Sequence, residues 1–170
     1  MPLKRYADFC GRSRRMEYWM WQLFNVGVYI AMIVLVMIVG GGALMSGGDP
    51  SAIAAAGGAA MIIVGLYGLY ALAVFIPNLA VTVRRLHDTN RSGWWILAPI
   101  AGYVLMVIGG VMAAGSPDNP GLGGVIAMIG LVAALVLALV LLVFMFLEGT
   151  RGPNNYGPDP KGEALDKVFA

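Results

Sequence analysis

Residues able to do chemistry are few in this chain, and most of them sit together. The stretch Arg84-Arg-Leu-His-Asp-Thr-Asn-Arg-Ser-Gly-Trp-Trp95 holds three of the eleven Lys and Arg residues, the only histidine and two of the four tryptophans. His87 beside Asp88 is the pair that would serve as an imidazole base oriented by a carboxylate. Adjacent residues rarely point the same way, however, and there is no second histidine, no serine in a recognisable nucleophile motif and no carboxylate cluster. One histidine and one cysteine, Cys10, make a poor ligand set for zinc and leave no internal disulfide. No catalytic residue, metal site or cofactor is therefore assigned.

The arginines carry more as a set. All eleven basic residues fall in three short polar segments, near the start of the chain, around residues 84–91, and in the last twenty. Guanidinium groups bind phosphate oxygens in pairs. Arg12, Arg14, Arg84, Arg85 and Arg91 are the expected contacts for an anionic headgroup or another phosphate-bearing ligand, with Arg15 and Arg151 on the same face. Glu17, His87, Asp88, Asn154, Tyr156 and Asp159 are the expected supporting polar cluster. The plain alternative is that the same cations reach to the membrane surface and pair with Glu17, Asp88, Glu148 and Asp159.

The elements that must position these residues are membrane spans. The chain is 59% hydrophobic and 12% charged, whereas soluble domains carry roughly 25% charged residues. Its apolar runs exceed the length needed to cross a hydrocarbon layer about 30 Å thick at about 1.5 Å per residue. The expected fold is all-α and polytopic, with four transmembrane helices in a bundle. Residues 1–18 form an interfacial segment, the membrane domain is 19–148 with spans at about 19–45, 59–83, 94–114 and 124–147, and 149–170 is a tail with a short helix at its end. The first run is too long for a cleaved signal, whose apolar region covers about 7–15 residues. Loops around Asp49 and Asp118 carry no cation, so the positive-inside rule puts both termini and the 84–93 loop in the cytoplasm.

Within the spans no Asp, Glu, Lys, Arg or His occurs, which argues against an ion-coupled pump. Pro77 is expected to kink the second span, with Asn78 bonding a carbonyl freed by the kink or lining a polar path. Residues 52–60 read either as a helix outside the membrane or as the first turns of one long helix. Small residues at Gly130, Ala134 and Ala138, and at Gly27 and Ala31, mark expected helix seams.

Three motifs taken together are similar to a known family. They are Phe9-Cys-Gly-Arg-Ser-Arg-Arg-Met-Glu-Tyr-Trp19 before the first span, Arg84 to Trp95 between the second and third, and Gly152-Pro-Asn-Asn-Tyr-Gly-Pro-Asp-Pro160 after the fourth. In order and spacing the chain resembles the family called domain of unknown function 805, small YhaH-like bacterial inner-membrane proteins. The resemblance implies a multi-span helical protein of the bacterial cytoplasmic membrane and carries no activity, substrate or cofactor. The expected role is a structural or interaction protein that binds anionic lipid or a membrane partner at its cytoplasmic face, and nucleic acid is not an expected partner. An oligomeric channel or facilitator for a small solute is the alternative.

Overall fold

Each apolar run becomes a helix, since a chain crossing lipid must satisfy its own backbone groups. The structure, a computed structural model, describes residues 2–47, 49–116 and 121–162. The loop at Asp118 and the helix expected in the last residues lie outside these. Helix α1 spans Arg15–Met45, α2 Pro50–Asp88, α3 Ala98–Ala114 and α4 Gly121–Phe146, with 3-10 turns at Pro2–Arg5 and Gly93–Leu97. All four long elements, the third counted with its leading turn, are long and apolar enough to cross a membrane. Large side chains such as Phe24, Leu72, Val111 and Leu139 remain more than half exposed, which is the normal state of a surface whose solvent is lipid. The chain divides into two units, Met1–Asp8 with Trp19–Ala80 and Phe9–Tyr18 with Val81–Ala170.

In the first unit, α2 begins earlier than the expected span. Asp49 accepts from the backbone N–H of Ser51 at 2.9 Å, and its carbonyl accepts from Ile53 at 3.0 Å. With Pro50 next, this is a capped helix start that favours proline in the first turn. Residues 52–60 therefore belong to one continuous helix that runs on through Pro77. Its 39 residues correspond to about 58 Å of helical rise, nearly twice the hydrocarbon thickness.

Pro77 lacks the N–H that would bond the carbonyl of Ala73. The Tyr6 hydroxyl donates to that carbonyl. The Asn78 side-chain oxygen accepts from the Trp21 indole N–H at 2.6 Å. One turn further along α1, Asn25 donates to the Trp21 carbonyl at 2.8 Å and accepts from the Tyr70 hydroxyl at 2.8 Å. The two deep asparagines thus tie α1 to α2, as polar side chains do where lipid removes the hydrophobic drive for association. Among the described residues of this unit, the expected Gly27–Ala31 seam shows no close approach at Gly27. A Cβ on Gly27 would meet nothing within 4 Å, and Ala31 lines an apolar groove with Val28, Met32, Leu66 and Tyr67.

In the second unit, α3 and α4 pack antiparallel through small residues. A Cβ on Gly102 would fall on the backbone of Ala134, one on Gly109 on Ala127, one on Gly123 on Ala113, and one on Gly130 on Met106. Gly130 and Ala134 lie in this seam as expected and are buried, while Ala138 is exposed and outside it. The seam extends toward the start of α4 through Ala127 and Gly123.

Candidate functional site

Helix α2 ends in a turn that its sequence dictates. Asn90 adopts a left-handed backbone with φ of 57°, a conformation asparagine tolerates better than other residues with a side chain. Its N–H bonds the His87 carbonyl at 3.0 Å, and the next N–H, of Arg91, bonds the Leu86 carbonyl at 2.9 Å. This paired 5→2 and 6→1 closure satisfies the last carbonyls of the helix. It also fixes Asp88 as the final helical residue.

Asp88 is where the three polar segments meet. Its Oδ1 accepts from Arg12 Nε at 3.0 Å and its Oδ2 from Arg85, one helical turn earlier. Arg85 also donates to the carbonyls of Met145, at 3.3 Å, and Leu147, at the C-terminal end of α4 where the helix dipole favours a cation. Arg12 further donates to the carbonyls of Thr150 and, at 2.7 Å, Gly152. The Asp88 carbonyl accepts from the Thr150 N–H at 2.8 Å. The carboxylate lies against Gly149, where any Cβ would fall on its oxygens.

The remaining residues brace this cluster. The Ser13 N–H bonds the Arg84 carbonyl at 3.1 Å, and the Ser13 hydroxyl donates to Glu17 at 2.8 Å. Asn154 donates to the His87 carbonyl at 2.8 Å and to the Thr150 hydroxyl at 2.9 Å, while its Oδ1 accepts from the Tyr156 N–H. The Tyr156 ring stacks flat on the His87 imidazole, centroids 3.9 Å apart. His87 Nδ1 sits 3.3 Å from the Gly11 carbonyl. Asp159 accepts from the backbone amides of Gly152, at 3.0 Å, and Lys161, at 2.9 Å. These two amides, Lys161's the stronger influence, hold its carboxyl below the usual carboxylate range.

The expected cluster of Glu17, His87, Asp88, Asn154, Tyr156 and Asp159 is thus one connected region. The expected anion contacts divide. Arg84 and Arg85 are fully buried and do not line the opening described next. Arg91 places its guanidinium 3.9 Å above the Phe144 ring, which Trp95 meets edge-on. Arg12 and Arg14 do line a cavity of about 600 Å³, together with Arg15, Asp88, Glu148, Arg151, Asp159 and Lys161. Arg15 pairs with Glu148 at 2.9 Å on the exposed rim, and Arg14 donates to the Pro160 carbonyl. Among the described residues no salt bridge engages Arg14, Arg151 or Lys161. Arg15, Arg151 and Lys161 were not in the expected contact set, and their only sequence signal was membership of the same basic segments. The His87 and Asp88 side chains point to different partners, as adjacent helical residues do, and Asp88 does not orient the imidazole.

These features define a class: a multi-span α-helical membrane protein whose polar segments close on a buried arginine–aspartate cluster. Within that class, the chain belongs to the family described as protein of unknown function DUF805, whose model matches residues 6–158. It is 35% identical over 164 residues to Inner membrane protein YhaI of Escherichia coli (strain K12), covering 94% of this chain and 91% of that one. Inner membrane protein YhaH of the same strain is 33% identical over 161 residues, covering 95% and 93%. Uncharacterized protein YiiR of that strain is 37% identical over 84 residues, covering 49% of this chain and 52% of its own. No solved structure matches. The four apolar helices and the relatives named as inner-membrane proteins make this chain a multi-pass inner-membrane protein.

Proposed function

We propose that this protein is an interaction module of the inner membrane that holds a phosphate-bearing lipid headgroup at its cytoplasmic face. The observation that carries the reading is the cavity beside Asp88, whose walls bring Arg12, Arg14, Arg15, Arg151 and Lys161 together. Arg12 and Arg85 act as its frame, because their donors are committed to Asp88 and to carbonyls. Arg14, Arg151 and Lys161 act as the contacts, because they line the opening and carry donors suited to phosphate oxygens. Confinement of the cations to three segments supports the cytoplasmic side, where anionic lipid attracts them.

Native mass spectrometry of the protein released from mild detergent tests this. The wild-type protein should retain phosphatidylglycerol or cardiolipin, and Arg14→Gln combined with Arg151→Gln should lower retention about tenfold or more while leaving the melting temperature within a few degrees. Undiminished retention in that variant overturns the reading.

A further inference from the structure

The charge in the cavity points to a narrower ligand class, and this inference rests on the headgroup reading above. We infer that the site selects a phosphomonoester dianion over a phosphodiester monoanion. Five cations, Arg12, Arg14, Arg15, Arg151 and Lys161, line it against three carboxylates, Asp88, Glu148 and Asp159. Two positive charges are left over among the described residues that line the cavity, with the Arg85 guanidinium on Asp88 behind them.

The three carboxylates are already answered. Asp88 is held by Arg12 and Arg85, Glu148 by Arg15, and Asp159 by two backbone amides. None needs to give up a partner when an anion enters between Arg14, Arg151 and Lys161. A phosphomonoester carries about −1.5 to −2 charges at pH 7 and presents three terminal oxygens. A diester carries one charge and presents two terminal oxygens, so it leaves one positive charge unanswered and one donor group without an acceptor. At the separations of a cavity this size, one further charge facing a net charge of two favours the dianion about five- to tenfold, even at a water-like dielectric.

The test is competition. The full-length protein in neutral detergent is offered equal amounts of phosphatidic acid and phosphatidylglycerol, and the retained lipid is read by native mass spectrometry. At least about a fivefold preference for phosphatidic acid is expected. Arg151→Gln with Lys161→Gln removes two of the lining cations from exposed positions and should move the ratio toward one while some phosphatidylglycerol remains bound. Equal retention by the wild-type protein overturns the monoester inference but leaves the headgroup reading standing, whereas retention of neither lipid overturns both. A preference unchanged in the double variant overturns the assignment to this cavity.

A second arm separates the sources of the monoester. Displacement of phosphatidic acid by inorganic phosphate and glycerol phosphate, but not by dimethyl phosphate, supports a soluble ligand. Failure of all three to displace it supports a lipid, and displacement by dimethyl phosphate equal to that by inorganic phosphate overturns the selectivity.

Discussion

Asp88→Asn is the substitution that most directly tests how the three polar segments are held. Two guanidinium groups share this one carboxylate, and the side chains are 7% exposed at Asp88, 2% at Arg12 and 0% at Arg85. Asparagine keeps the shape and one acceptor. It removes the charge and turns an N–H₂ toward a guanidinium donor, so two buried cations lose their counter-ion. Breaking a buried pair from one side costs about 3–5 kcal/mol. For a chain of this size that corresponds to a fall in melting temperature of roughly 6–20 °C. The control is Arg15→Gln, which breaks the rim pair with Glu148, where the side chains are 43% and 64% exposed. An exposed pair contributes about 0–1 kcal/mol, a shift of no more than about 4 °C. Both variants are unfolded by heat in the same detergent and followed by tryptophan fluorescence. A loss in Asp88→Asn no larger than that in Arg15→Gln would refute the claim that the carboxylate is the keystone of this cluster.

Two further outcomes follow from the geometry. Gly109→Ala places a methyl on the backbone of Ala127 and should destabilise the protein by about 1–3 kcal/mol in the same melt, as other overpacked positions do. Gly27→Ala meets nothing within 4 Å and should be neutral or stabilising by up to about 1 kcal/mol through helix propensity. The tail should respond to acid in one direction. Asp159 is held below its ordinary value of 3.8 by the amides of Lys161 and Gly152, so its contribution is fully present above that value and is lost as the pH falls through the lowered one. Limited proteolysis of residues 149–162 should be unchanged between pH 8 and pH 5 and accelerate only below about pH 4; acceleration between pH 8 and pH 6 would contradict this.

The four helices were legible because hydrocarbon thickness imposes a length and lipid forbids charge within it, and both constraints act on composition alone. The end of α2 was less legible: a polar loop was expected from residue 84, whereas the helix continues to Asp88 and closes at Asn90. What composition does not encode is which of several equivalent polar groups reaches a given partner. The Ala73 carbonyl that Pro77 leaves free takes a donor from Tyr6, distant in sequence. Glycine spacing misled in the same way, because a small residue permits close approach without requiring it. Gly27 and Gly130 look alike until a partner helix is placed beside one of them.

The arginines show why the candidate site was only partly readable. Arg85 and Asp88 lie three residues apart on one helix, a spacing that brings side chains together, so their pairing could be anticipated. Arg12 reaches the same carboxylate across 76 positions, and no local rule distinguishes it from Arg14 two residues later. The backbone makes the distinction: the Ser13 N–H bonds the Arg84 carbonyl, which pins the polypeptide so that Arg12 faces the end of α2. Arg14 is left facing the cavity. A buried guanidinium is tolerated only where carbonyls and a carboxylate take up its donors, and the ends of α2 and α4 supply a limited number of these. With Arg12 and Arg85 occupying them, Arg14, Arg15, Arg151 and Lys161 line the opening. Their positive charge is then a consequence of how the three segments close, and it persists for as long as Asp88 keeps its two partners.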